Sequence, residues 1–441
     1  MARSHKILLL IGVAASALAL AGCGDKPLPE EAGYGPNPTL PPPKSSWLPT
    51  IKVAKAVGWK EGEKPTPLAG GQVTAFATGL QHPRWLYELP NGDILVAESD
   101  APPKPEDKQG GVRAWVQGLF MERAGSRTPS ANRISLLRDT DGDGVAETKS
   151  VYLESLTSPF GMALVGDQIF IANADAVVRV PYVAGETKNS ARPVKVADLP
   201  AGRNHHWTKS LVASADGSRL YVGVGSNSNV AENGMAEEER RAAVLEIDPQ
   251  NGSTQLFAGG LRNPVGIDWN PATKELWVAV NERDEIGDDL VPDYMTSVKR
   301  DGFYGWPYSY YGQTVDTRVE PPRPDLVAKA IKPDYALGSH TASLGFTFAK
   351  EGQLGARYAG GAFIGQHGSW NRANPVGYRV IFVPFKAGKP AGMPEPILTG
   401  FLNEQGEARG RPVGVLVDRR NGLLVADDVG NAIWRIVLPE G

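Results

Sequence analysis

The sequence predicts an all-β chain whose body is a six-bladed β-propeller of four-stranded blades. Three observations carry that prediction. A tight turn followed by a short β-rich run recurs six times. Further strands recur in fixed order between the copies. One strand, 73–77, comes before any complete unit and is left to close a ring with the C-terminal strands.

The six copies are residues 91–97 (Asn-Gly-Asp-Ile-Leu-Val-Ala), 166–172, 216–223, 272–279, 360–365 and 421–426. Asn, Asp and Gly at their starts suit hairpin turns. The copy at 360–365 is the weakest, because its turn has neither Asn nor Asp. A third strand follows at a distance, as at 178–181, 244–249, 380–384 and 433–437. A fourth runs into a Gly-Leu-x-x-Pro phrase, as in 73–83 and 254–264. No unit could bury both faces alone, so the six must stack into one domain.

Strand parity then divides the loops. With strands A to D counted outward from the axis, the A–B and C–D turns share one face. The B–C loops and the D–A links share the other, and the links crowd the axis. In order the links offer Gln81-His82, Thr157-Ser158, Asn204-His205-His206, Arg262-Asn263, Ser339-His340 and Gly410-Arg411. That polar ring is the expected site.

Upstream, Arg3, His5 and Lys6 precede an apolar run, 7–20, that is short for a membrane span and ends in Leu20-Ala21-Gly22-Cys23. This reads as a lipoprotein signal over 1–22, with Cys23 as the acylated residue. Gly24 after the cysteine points to the outer membrane, facing the periplasm. Residues 23–70 read as a Pro-rich tether and N-terminal extension, and 71–441 as the catalytic propeller. Cys23 is the sole cysteine, so neither a disulfide nor a haem-attaching Cys pair is available. A net charge of −3 argues against nucleic acid as a partner.

Within the ring, 203–209 (Arg-Asn-His-His-Trp-Thr-Lys) is the strongest constellation. A histidine at an axial mouth with Lys209 close by suits a general base kept neutral by the neighbouring cation. Either His205 or His206 can fill that role. Arg262 and Asn263 combine a fixed cation and an amide suited to a carboxylate or quinone oxygen. The acidic loop 281–289 holds five carboxylates, which a Ca²⁺ ion or plain solvation would balance. Asp139, Asp141 and Asp143 resemble the start of an EF-hand loop, with Ser150 where the closing Glu would stand. They form a structural metal site or a metal-free turn on the opposite face. His367 and Arg372 lie in a Gly-punctuated aromatic loop that could cover the mouth.

Taken together, 206–211, 260–264, 281–294, 302–307 and 368–372 resemble the soluble quinoprotein sugar dehydrogenases, specifically the sorbosone dehydrogenase branch, over about 79–438. The resemblance implies pyrroloquinoline quinone (PQQ) and Ca²⁺ as cofactors at the axial mouth. It implies His206 as base, and Arg262 and Asn263 on the quinone oxygens. Carbonyls of Arg283 and Asp284 would hold the Ca²⁺, with Asp289 and Tyr304 on a second ion. Arg411 would hold a cofactor carboxylate, with Lys209, His367 and Arg372 as companions. Two departures stand out: Gly225-Ser226 replaces a Gly-Asp that orients the base, and a cofactor-contacting Gln has no counterpart near Ser158-Pro159. The expected activity is oxidation of an aldose or sugar aldehyde, with electrons leaving to a separate quinone or cytochrome and the membrane touched only through the lipid. A Ca²⁺-dependent lactonase and a non-enzymatic binding propeller of the envelope are the alternatives.

Overall fold

A computed structural model describes residues 28–44, 52–103 and 129–439. The signal segment 1–22 and Cys23 lie outside the described residues. Six antiparallel blades follow the predicted order. Blade 1 comprises Pro83–Glu88, Ile94–Glu98, Arg133–Arg138 and Thr148–Leu153, and blade 2 Met162–Val165, Gln168–Ala172, Ala176–Pro181 and Val194–Asp198. Blade 3 is Lys209–Ala213, Leu220–Val224, Ala243–Ile247 and Thr254–Gly259. Blade 4 is Pro264–Trp269, Leu276–Val280, Pro292–Ser297 and Tyr335–Ser339. Blade 5 is Ser343–Phe348, Ala362–Gln366, Arg379–Val383 and Glu395–Thr399. Blade 6 takes Pro412–Val417, Leu423–Asp427 and Ala432–Val437 from the C-terminus, and Gln72–Thr78 from upstream as its outer strand. The early strand therefore closes the ring as expected.

All six recurrent runs are B strands. In five of them every residue is buried. A B strand is covered on both faces by neighbouring blades, so its sequence is a continuous apolar run rather than an alternation. Between blades 6 and 1, for example, Leu424, Ala426 and Ile433 pack with Ile94, Val96 and Leu137.

The A strands meet around the axis, where blades approach too closely for side chains. A Cβ on Gly345 would lie 1.9 Å from the Val413 carbonyl oxygen, and one on Gly161 would lie 2.2 Å from the Leu211 nitrogen. The A strands of blades 1, 4, 5 and 6 are bulged at this level. Bulges of this kind bend a strand and re-aim its side chains.

The described part of 23–70 is no free spacer. Tyr34–Gly35 pairs with the outer strand of blade 4, and Thr66–Pro67 with that of blade 5. Trp59 packs edge-on against Phe401 and Trp434 and donates to Asp427 Oδ2 at 2.7 Å. Its apolar residues (Tyr34, Leu40, Ala54 and Trp59) find surface on blades 4 to 6, which outweighs the extended preference of the prolines.

Gly345→Ala is expected to cost about 1–3 kcal/mol through overpacking against a backbone that cannot retreat. A urea titration should show a lower midpoint with an unchanged slope.

Candidate functional site

B–C loops and D–A links do share a face, as their mutual contacts show. The link into blade 3 carries His206, whose Nδ1 lies 2.8 Å from the Ser226 carbonyl oxygen and 3.0 Å from Ser226 Oγ, in that blade's B–C loop. A carbonyl only accepts, so Nδ1 carries the proton and Nε2 is the basic nitrogen. No described residue hydrogen-bonds that Nε2. Burial, then Arg262 and His205, hold the imidazole well below its usual pKa. Lys209 contributes, but least. His205 is exposed and stands edge-on to His206 at 4.7 Å. The anchored ring is that of His206.

Gly225 is required where it stands: a Cβ there would meet Asn263 Oδ1 at 2.3 Å and His206 Cβ at 2.5 Å. The Ser226 nitrogen donates to the Arg262 carbonyl at 2.8 Å. Ser226 thus joins the two residues expected to touch one ligand, and it stands where the resembled family has Asp.

Other expected residues are placed differently. Lys209 is fully buried and donates to Asn204 Oδ1 at 3.0 Å and the Trp207 carbonyl at 3.1 Å. It braces the link from beneath and does not reach toward a cofactor. The Arg262 guanidinium is engaged at every nitrogen: with Asn229 O and Oδ1, the Asn281 and Glu282 carbonyls, and Asp284 Oδ2 at 3.5 Å.

The acidic loop is neutralised from within. The Asp284 carbonyl accepts from Arg283 Nε and Nη2 and from Asn229 Nδ2. Arg318 takes the Glu285 carbonyl, the Lys44 nitrogen that of Ile286, and His340 Nε2 that of Gly287 at 2.9 Å. Asp284 Oδ1 faces His340 Nδ1 at 3.3 Å and Asn371 Nδ2 at 2.7 Å. That pairing holds the Asp284 carboxyl below its usual range and raises His340. Asp289 bridges Arg372 Nη2 at 2.8 Å and the Leu28 nitrogen at 3.1 Å. The Tyr304 hydroxyl donates to the Ser297 carbonyl at 2.6 Å within an apolar core. The Arg283 side chain pairs with Asp316. As folded, Asp289 and Tyr304, expected on a second Ca²⁺, are taken up by separate protein partners. Guanidinium and imidazole groups balance two of the five carboxylates, Asp284 and Asp289.

Across the mouth lies a cluster in which Arg84 and Asp428, not expected from the sequence, join His82 and His367. Asp428, at the exit of the blade 6 B strand, accepts from Arg84 Nη1 and from His367 Nε2 at 2.8 Å, and faces His82 Nε2 at 3.6 Å. Burial pushes the His367 imidazole down to about 4 despite that carboxylate. Arg411 lies over the Tyr378 ring at 5.3 Å and donates to the Ala54 carbonyl at 3.3 Å. The available signal was positional: Asp428 follows its B strand as Ser226 and His367 follow theirs.

Six buried polar atoms around the mouth have no partner: Arg84 Nε, Asp100 Oδ2, Asn263 Oδ1, Asn371 Oδ1, Arg411 Nε and Asp428 Oδ1. Buried groups left this way are costly, and their concentration at one opening marks where a polar ligand is received.

On the opposite face, Asp139, Asp141 and Asp143 converge with Glu147, each offering an oxygen within 4.8 Å of the others. Glu147 is ninth in the loop; the sequence reading weighed only the twelfth position. Asp139 also pairs with Arg420 of the blade 6 A–B turn at 2.8 Å, which fixes the loop to that face.

The family model described as a domain of unknown function (DUF7133) matches residues 90–369. The chain belongs to that family. A TrAA12-like model matches residues 325–438 of this DUF7133 chain. An uncharacterized protein of Borreliella burgdorferi is 27% identical over 305 residues, covering 66% of this chain and 79% of the relative. Among solved structures, the holo form of the pyranose dehydrogenase PQQ domain from Coprinopsis cinerea superposes with a TM-score of 0.66 at 20% identity. It covers 88% of this chain and 100% of that one. The calcium structure of the Trichoderma reesei carbohydrate-active enzyme of family AA12 gives 0.67 at 18% identity, covering 88% and 98%. The PQQ-bound aldose sugar dehydrogenase from Streptomyces coelicolor gives 0.54 at 17%, covering 84% and 99%. These likenesses establish the fold.

Arg283→Ala would remove the buried partner of Asp316 Oδ2 and leave only Arg318, at 3.6 Å from Oδ1, so a loss of about 1–3 kcal/mol is expected. Chemical denaturation should show it, with Arg283→Lys recovering only part because lysine lacks the fork that reaches the Asp284 carbonyl.

Proposed function

We propose that this chain is a quinoprotein oxidoreductase that oxidises an aldose or a sorbosone-like sugar aldehyde, using PQQ as hydride acceptor. The observation that carries the reading is His206, pinned at Nδ1 by Ser226 with Nε2 open beside the unpartnered Asn263 amide. The solved structures of the same fold whose titles name PQQ support it. Bound PQQ would supply a two-electron acceptor for the hydride leaving the substrate carbon.

The residues present fit such a cofactor. The unpartnered Nε atoms of Arg84 and Arg411 suit its carboxylates, and Asn263 Oδ1 suits an O–H or N–H that donates to it. His367, fixed by Asp428, and Arg372, fixed by Asp289, wall the opening. In the reaction His206 Nε2 takes the proton of the hydroxyl group on the carbon being oxidised. Ser226 keeps the ring in the tautomer that can do so. No step is routed through Ca²⁺.

A lactonase would need carboxylates converging on the axis, whereas Asp284, Asp289 and Asp428 are each committed to Arg or His partners. The lipobox-like segment ending at Cys23 adds to the proposal a lipid-anchored location in the cell envelope, at the outer membrane facing the periplasm. Electrons would pass to a separate quinone or cytochrome.

Reconstitution with PQQ followed by dye reduction across a sugar panel tests the reading; no PQQ binding, or binding with no sugar oxidised, overturns it. His206→Ala should lower the rate by ~10²–10⁴ while PQQ still titrates in by absorbance. Because the folded-state pKa of His206 is lowered, the base stays unprotonated through neutral pH. The rate of the native enzyme should therefore fall on the acid side only below pH 6.5, and a pH–rate profile checks this.

A further inference from the structure

The N-terminal extension meets the propeller at an informative place. Leu28, the first described residue, donates its backbone N–H to Asp289 Oδ2 and lines a small pocket with Ser339 and Arg372. Asp289 and Arg372 belong to the B–C loops of blades 4 and 5, and Ser339 starts the link between them. The chain thus arrives on the face that carries the mouth. It is fastened there: Glu30 pairs with Arg379 and with the Tyr34 hydroxyl, and Tyr34–Gly35 joins blade 4 as an edge strand.

Five residue steps separate Leu28 from Cys23. Fully extended, they reach at most ~18 Å, whatever conformation they take. We infer that the acylated protein is held with its mouth turned toward the lipid surface that carries its anchor. This rests on the lipid anchor proposed above, and not on the choice of cofactor or substrate. The partner it commits to is a bilayer surface. A leash tied to the far face, or a long free spacer, would leave the propeller able to tumble; this one is short and tied beside the opening.

The same face presents the groups such a surface would meet. Lys44, Lys52 and Lys55 are exposed along the extension, and Val57 is 44% exposed. Lys52 is held by the Trp370 and Ala373 carbonyls of the blade 5 B–C loop, and the Val57 nitrogen by the Ala408 carbonyl in the link to blade 6. Lysines near anionic headgroups contribute favourably, although the covalent anchor sets the orientation.

The test uses the full lipidated chain in vesicles carrying a headgroup nitroxide quencher. Because Cys23 is the sole native cysteine and would be acylated, a single introduced cysteine takes a fluorophore cleanly. Val57→Cys labels the mouth face. Val183→Cys labels the C–D side of blade 2, where Val183 is 50% exposed. Quenching severalfold stronger at 57 than at 183 is expected. Equal or reversed quenching on a protein whose N-terminal peptide carries acyl chains by mass overturns the orientation alone. An N-terminal peptide without acyl chains overturns the anchor and the orientation together. Neither readout needs PQQ or turnover, so a failure of the proposed chemistry is seen separately.

Discussion

Closure of the ring is the constraint on which the rest depends. Gln72–Thr78 pairs with Ala432–Val437 along six register positions, joining a strand from before the first blade to the end of the last. Once the ring is closed, every D–A link must enter at the axis, and the polar residues of six separate segments are brought to one opening. The strain of those entries is visible in the backbone. His82, Ser158, Asn204 and His340 all have positive φ, in four different links. Such conformations are uncommon for residues other than Gly and persist where surrounding structure over-determines them.

The second constraint is charge at close quarters. A mouth crowded with Arg, His, Asp and Glu cannot leave them unpaired at low dielectric. Here part of the solution is a mesh in which Asp284, Asp289, Asp316 and Asp428 each meet a guanidinium or an imidazole, while Asp293 is held by backbone N–H and hydroxyl donors. Asn229 is its hub: its backbone and side chain touch Arg262 and Asp284, and its carbonyl also receives Trp306 Nε1 at 3.0 Å. Such a mesh is rigid because removing any member strands another. It leaves the acidic loop fastened by protein.

How much of this was legible in the sequence follows from what each feature leaves as a pattern. The B strands were legible because double burial gives continuous apolar runs behind Gly, Asn or Asp. The face of the site was legible because strand parity is a property of topology, and His206 and Asn263 fell out of it. The docking of the extension was not: Trp59, Tyr34 and Thr66 find partners hundreds of residues away and have no periodicity among themselves. Arg84 and Asp428 escaped because each is a lone residue at a strand end. The fate of Tyr304 was hidden because a tyrosine beside glycines suits a loop ligand and a core filler equally well.

The imidazoles at the mouth differ in what holds them. His340 is spent at both nitrogens, between Asp284 and the Gly287 carbonyl. His82 is held by the Ser99 carbonyl at 2.8 Å and turns its other nitrogen toward Asp428. His367 holds Asp428 directly. His206 alone among these rests on neutral partners, the Ser226 carbonyl and hydroxyl. A carboxylate in that place would stabilise the protonated ring, by about 1.4 kcal/mol for each unit of pKa gained. Serine withholds that countercharge, and Arg262 opposes the protonated form further. A proton taken by His206 is therefore poorly retained, which is what the base proposed for it requires.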